Sequence, residues 1–233
     1  MSPILLGHRG SPHQFRENTM PGYQAALAAG LDGVEVDVRR LLDGTLVLHH
    51  DAHLPDGRFL RDLRRSEVPA WLPTLPEFLA WMADTGTYAN IEFKWEREVW
   101  RPDDRVERTL DLVRGLGLGQ RVLVSSFNPL YLLAARQAAP EIERGFLFER
   151  ELALALITTI MKVTASVALH PRFSLIDRKL MALARQRGWR VNTWTVNDVA
   201  EVQRLTGLGV DALIGNFPEV LLTARRRLDT AAP

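Results

Sequence analysis

Cysteine is absent from the 233 residues, which excludes a disulfide-stapled scaffold, a thiol nucleophile and any thiolate-held metal. A surplus of one charge is missing too. Against 29 Lys and Arg stand 28 Asp and Glu, so no general attraction to nucleic acid or to an anionic membrane is expected. Nor is there a long apolar run: the longest, residues 152–161, is broken by Thr158 and Thr159. It falls far short of the ~20 residues needed to cross a bilayer and reads as a buried helix. Residues 1–8 have no basic segment before their short Ile-Leu-Leu run, so no secretory signal is expected, and a cytoplasmic location is the expectation. Low-complexity tracts and domain linkers are also missing. With 46% hydrophobic residues, the composition excludes disorder and points to a single domain over residues 1–233.

What the chain does have is alternation. Short apolar or β-branched runs at residues 4–6, 34–38, 89–93, 122–125, 145–148, 166–169, 190–194 and 212–214 are each followed by an amphipathic segment. Pro21, Pro129 and Pro218 sit where a first helical turn accepts proline, and Asn197-Asp198 reads as a cap. Eight strand–helix units in 233 residues leave about 29 residues each, which predicts an α/β fold, a single (β/α)8 TIM barrel. No Gly-rich loop follows the first strand at the spacing a dinucleotide-binding sheet requires. A barrel places its chemistry at the C-terminal ends of its strands, and the polar residues gather there.

Strand one ends in Gly7-His8-Arg9-Gly10, and Glu17-Asn18-Thr19 precedes the first helix, where Asn18 suits an N-cap or a support for a site. Strand two reads Val34-Glu35-Val36-Asp37-Val38, and period-two alternation puts both carboxylates on one face. Two carboxylates on one apolar strand repel unless a cation compensates. A purely structural pair would need two Arg or Lys partners facing the barrel. Otherwise the oxygen-only set implies one divalent hard cation, Mg2+ or Ca2+. Glu92-Phe93-Lys94 places another Glu and a Lys on one face, as a solvated ion pair or as a third ligand with a phosphate contact.

Asp43-Gly44 is a strong hairpin signal. As a two-residue turn it sets Asp37 opposite His50 and Val38 opposite His49, so His50 is expected at the carboxylates. This hairpin opens a short insertion at about residues 39–73. Trp194 reads as core or as the wall of a small-ligand pocket. His170, expected after strand six at the rim or pocket wall, receives no role.

Taken in order, His8-Arg9-Gly10, Glu17-Asn18-Thr19, Glu35-Val36-Asp37, His50-Asp51, Glu92-Phe93-Lys94 and Trp194 resemble the glycerophosphodiester phosphodiesterases. The resemblance runs from residue 8 to about residue 218. It implies a barrel that hydrolyses glycerophosphodiesters to glycerol 3-phosphate and an alcohol. It implies His8 and His50 as the acid/base pair, and Glu35, Asp37 and Glu92 around the cation. Arg9 and Lys94 would contact the phosphate, Trp194 the substrate, and Glu17 and Asn18 would support the site. Its partner would be a small-molecule substrate, with no nucleic acid and no membrane span. Two departures stand out. The stretch after Asp51 lacks the usual Arg-Thr-Thr-Asn-Gly type of sequence and is short, which implies reduced enclosure of the substrate. Asn216 stands where the family usually has Asp, a change expected to touch neither the metal set nor the histidines. Two alternatives remain. One is a related barrel phospholipase of lysophospholipase D or sphingomyelinase D type, which should show an exposed apolar rim. The other is a noncatalytic phosphate-binding barrel, which would have no need of both histidines.

Overall fold

The structure, a computed structural model, describes residues 2–95 and 102–225. Eight parallel strands close into a barrel: β1 (Ile4–His8), β2 (Gly33–Arg40), β4 (Tyr88–Phe93), β5 (Val122–Ser126), β6 (Glu143–Phe148), β7 (Ala168–Pro171), β8 (Arg190–Thr193) and β9 (Ala212–Gly215). Closure comes from β1, which pairs with both β2 and β9. The short β3 (Leu46–Leu48) adds antiparallel to the end of β2. Helices α1 (Met20–Ala28), α2 (Leu75–Thr85), α3 (Arg105–Gly115), α4 (Pro129–Ala138), α5 (Leu154–Thr164), α6 (Arg178–Arg187), α7 (Val199–Leu208) and α8 (Pro218–Leu221) follow successive barrel strands. The (β/α)8 barrel expected from the alternation is the fold. The last part of the helix expected at residues 219–227, and residues 229–233, lie outside the described residues.

The strands are held by what they present outward. Val34, Val36 and Val38 of β2 are fully buried in the main core together with Leu5, Ile91, Phe93 and Val124. Each such side chain contributes ~1.5–3 kcal/mol of burial. The inward face of β2 therefore carries polar residues that the fold can hold because the outward face carries the packing. Leu41 of the hairpin and Val47 of β3 form a separate small core with Leu54, Leu60, Leu63, Val68 and Leu72 of the segment between β3 and α2. This anchors the inserted segment next to the barrel mouth.

Three local expectations change. The strand around His170 runs later than its apolar pattern suggests, so His170 sits within β7, fully buried, and belongs neither to a rim nor to a pocket wall. Helix α5 is not a buried helix: Leu154 and Leu156 are exposed, because only one side of it meets the barrel. The hairpin after β2 has a three-residue loop. Leu41 N–H donates to Thr45 O, Gly44 N–H donates to Leu41 O, and Gly44 takes φ +83°, a left-handed value glycine accepts. The register consequently pairs Val38 with Leu48, one residue away from the two-residue-turn expectation.

Candidate active site

Strand register assembles the site. Across the parallel ladder His8 lies beside Glu35, and Asp37 lies beside Glu92. Neighbours in parallel register share a face, so β1, β2 and β4 deliver a histidine and three carboxylates to one end of the barrel. Ligand-capable oxygens of Glu35, Asp37 and Glu92 all lie within 4.8 Å of one another, and all three residues are buried. Such a group could hold a metal ion.

The loop after β1 is shaped to serve that cluster. Arg9 adopts φ +55° and Asn18 φ +53°, left-handed values that are uncommon outside glycine and mark a constrained backbone. Gly10, at φ +92°, could carry no side chain, since a Cβ would lie 2.7 Å from the Gly22 carbonyl carbon of α1. The Arg9 N–H donates to the Glu35 main-chain oxygen at 3.0 Å. Its guanidinium then reaches Glu17 Oε2 at 2.8 Å and Asp37 Oδ2 at 3.3 Å.

Asn18 is not the cap of α1. Its Nδ2 donates to Asp37 Oδ2 at 2.7 Å, and its Oδ1 accepts from the Tyr23 hydroxyl at 3.0 Å. Thr19 occupies the capping position. The Asn18 side chain is thus engaged with Asp37 and Tyr23 and not with the start of α1.

Lys94, just beyond β4, brings its Nζ 2.8 Å from Glu92 Oε1 and 3.4 Å from Asp37 Oδ1. The two cations that a purely structural pair would demand are thus both present, as Arg9 and Lys94. They leave the balance unclosed. Three carboxylates face two cations, and the buried Glu35 Oε1 has no hydrogen-bond partner, a position that the chemistry of a hard cation fits. The electrostatics follow. Burial, with Asp37 and Glu92 alongside, pushes the Glu35 carboxyl well above the usual carboxylate range. Burial also raises Glu92, with Lys94 opposing it. For Asp37 burial is outweighed by Lys94 and Arg9, and its carboxyl is held low.

The two histidines differ in their partners. His8 Nδ1 is 2.7 Å from Asn216 Oδ1, and its Nε2 is 3.9 Å from Glu35 Oε2. Asn216 therefore does touch a histidine, contrary to the expectation, because the loop after β9 closes over β1, its barrel neighbour. Burial, reinforced by the Arg9 charge, pushes His8 down to about 4. His50 Nδ1 donates to Asp51 Oδ1 at 2.8 Å. Burial and then Lys94 pull His50 below its ordinary value.

His50 reaches the site by a route other than strand pairing. The ladder ends at Leu48, and His49 N–H still donates to Asp37 O. The chain then turns. The His49 ring sits 6.1 Å from the Trp71 ring, whereas His50 lines a cavity of about 340 Å3 together with His8, Arg9, Glu35, Glu92 and Lys94. That cavity is completed by Asn90, Phe127, Leu147, Trp194 and Ile214, with Trp95 and Glu149. Trp194 is a pocket wall: its Nε1 donates to His170 O at 2.9 Å, and Phe127 meets it edge-on at 5.4 Å. The sequence assigns no site role to Asn216, Asp51 or Phe127 individually. Asp51 does carry a signal as part of the His50-Asp51 pair and Asn216 as a departure from the family's usual Asp, whereas Phe127 is marked only by its place after the C-terminal end of β5.

The model of the glycerophosphoryl diester phosphodiesterase family matches residues 8–220. The chain belongs to that family. It is a phosphoric diester hydrolase of the (β/α)8 kind. A glycerophosphodiester phosphodiesterase of Caldanaerobacter subterraneus subsp. tengcongensis is 26% identical, over 97% of this chain and 99% of its own length. Among solved structures, an Oleispira antarctica phosphodiesterase in complex with the product sn-glycerol-3-phosphate is 26% identical, with a TM-score of 0.83 and 97% of each chain covered. The glycerophosphodiester phosphodiesterase of Thermotoga maritima has a TM-score of 0.79 at 24% identity, covering 97% of this chain and 99% of its own. Among the described residues no helix of this family member is long and apolar enough to cross a membrane.

Proposed function

We propose that the protein hydrolyses glycerophosphodiesters to glycerol 3-phosphate and an alcohol. The observation that carries this reading is the single cavity shared by His8, His50, Arg9 and Lys94 with two of the three clustered carboxylates. Glu35, Asp37 and Glu92 would hold one divalent cation, Mg2+ or Ca2+, whose charge lowers the cost of the negative charge developing on the phosphoryl oxygens. Arg9 and Lys94 add positive charge for the phosphate, Arg9 as a fork and Lys94 as a point. Glu17 and Asn18 keep Arg9 and Asp37 in place, and Trp194 forms an apolar wall for the substrate.

In this reading His8 Nε2 takes the proton of the glycerol 2-hydroxyl. The freed oxygen attacks phosphorus, and the bond to the alcohol oxygen breaks. His50 gives its proton to that leaving oxygen. A five-membered cyclic phosphate results, and the roles then reverse. His50 takes a proton from water, the water oxygen attacks phosphorus, the ring bond to the 2-oxygen breaks, and His8 returns its proton. The Asp51 carboxylate opposes the lowering of His50 by burial and Lys94, as suits a group that must hold a proton before donating it. The neutral partner of His8 suits a group that must be free to accept one.

A coupled assay for glycerol 3-phosphate across several glycerophosphodiesters, with and without chelator, tests the reaction and the cation together. Release that persists in chelator overturns the metal part, and no release from any diester overturns the whole. A 2-deoxyglycerol diester tests the cyclic route, which predicts no turnover; hydrolysis at the ordinary rate would establish direct attack by water.

One observation favours a second substrate class. Among the described residues, eight of the ten exposed large apolar side chains, Phe15, Phe59, Leu130, Leu154 and Leu156 among them, follow the C-terminal ends of barrel strands. That is the side on which a lipid substrate would approach. Choline release from lysolipid, measured against release from glycerophosphocholine, separates the two.

A further inference from the structure

We propose that Asn216 is a positioning residue that fixes the tautomer of His8. This rests on the reading of His8 as the proton acceptor. A side-chain amide oxygen has no proton to give, so the 2.7 Å approach of Asn216 Oδ1 to His8 Nδ1 puts the ring proton on Nδ1. The lone pair is then left on Nε2. That nitrogen is the one turned toward the carboxylates, 3.9 Å from Glu35 Oε2, and it belongs to the cavity-facing ring. An imidazole of the opposite tautomer would present an N–H there and could not accept a proton.

Asn216 is itself braced from two other loops. Its main-chain N–H donates to Asn197 Oδ1 at 2.8 Å, in the loop between β8 and α7. Its main-chain carbonyl accepts from His13 Nδ1 at 3.1 Å, in the loop between β1 and α1. His13 is held in turn: its Nε2 is 3.6 Å from Glu219 Oε2 and its ring lies 5.2 Å from that of Phe217. Three loops at the C-terminal end of the barrel thus converge on one asparagine, and that asparagine faces one histidine. The arrangement also gives His13 a purpose, as a brace for Asn216.

The tautomer is read directly by two-bond proton–nitrogen correlation NMR on the full chain with 15N-labelled histidine, in Mg2+, at about pH 8, where an ordinary histidine of pKa ~6.5 is neutral. Loss of one set of signals in His8→Gln assigns His8. Wild-type protein is expected to show a protonated Nδ1 and a bare Nε2. Asn216→Leu, which has no acceptor, is expected to move the proton to Nε2 and to lower kcat by about 10- to 100-fold with a smaller change in KM. Asn216→Asp restores an acceptor at the same place and should recover both the tautomer and the turnover lost in the leucine variant. A wild-type His8 protonated on Nε2 overturns the proposal, and so does an Asn216→Leu protein with unchanged tautomer and kcat. If Asn216→Leu does not fold, the wild-type and Asn216→Asp spectra still decide. If no glycerophosphodiester is hydrolysed, the catalytic reading fails separately, because the spectrum reports the tautomer whatever the activity.

Discussion

The main-chain carbonyl of His50 accepts two hydrogen bonds from one side chain, Arg39 Nε at 3.0 Å and Arg39 Nη2 at 2.5 Å. Arg39 is buried and lies two residues beyond Asp37 on β2, so the strand that carries two of the carboxylates also grips the loop that carries the second histidine. The distance from Asp37 to His50 is thereby tied to one rigid element. Replacing Arg39 by Met should lower kcat by about tenfold or more, since a residue orienting a working histidine usually has that effect. Arg39→Lys should recover only part, because lysine lacks the two-pronged geometry. Steady-state kinetics alongside circular dichroism check this; a folded Arg39→Met enzyme with normal kcat would show that His50 needs no such grip.

His8→Ala and His50→Ala should each lower turnover by ~10²-fold or more while the fold persists. The two should part company on a diester with a nitrophenol leaving group, which departs without a proton. There His50→Ala should recover much of its loss and His8→Ala little. Equal recovery of both variants would contradict the division of roles.

Burial and two neighbouring carboxylates raise the Glu35 carboxyl well above the ordinary range, which favours its protonated form when no cation is bound, whereas a metal takes the ionised form. Cation affinity should therefore rise with pH, with up to one proton released on binding. Calorimetry in buffers of different ionisation enthalpy measures that release. Glu35→Gln should abolish both it and tight binding, whereas proton release unchanged in Glu35→Gln would assign the titration elsewhere.

His170 lies wholly inside β7, and burial pushes it down to about 3. Unfolded, it titrates near its ordinary value of 6.5. Between those two pH values the unfolded chain binds the extra proton, so this residue leaves stability untouched above pH ~7 and lowers it as pH falls from ~6.5 toward 3. At about 1.4 kcal/mol per unit the loss reaches roughly 3 kcal/mol at pH 4.5. Urea unfolding at pH 7 and 4.5 should show a drop smaller by about that amount in His170→Gln. An equal drop in both proteins would place the acid sensitivity in other groups.

How much of this was legible beforehand depends on the range of the forces involved. Glu35 and Asp37 could be assigned to one face because period-two alternation is a property of a single strand. Arg9 and Lys94 read locally as cations at strand ends, but their approach to Asp37 depends on which strands are neighbours. Asn18 had a good local use as a cap, and a stronger distant partner, Asp37, took its side chain instead. A two-residue turn at Asp43-Gly44 points to His50, but the loop around Gly44 has three residues and that register does not form. The chain turns after Leu48 and delivers the same residue by another path.

The sequence by itself determined the alternation of eight strands and helices, the order of the motifs, and the side of each strand on which a carboxylate stands. These follow from local periodicity and turn chemistry, which act over a few residues. Only the tertiary structure decided which histidine faces the carboxylates, which way Asn18 points, and that Asn216 meets His8 across 208 positions of chain. Those outcomes depend on barrel closure, where β9 pairs with β1 and brings together loops whose contacts no local pattern encodes.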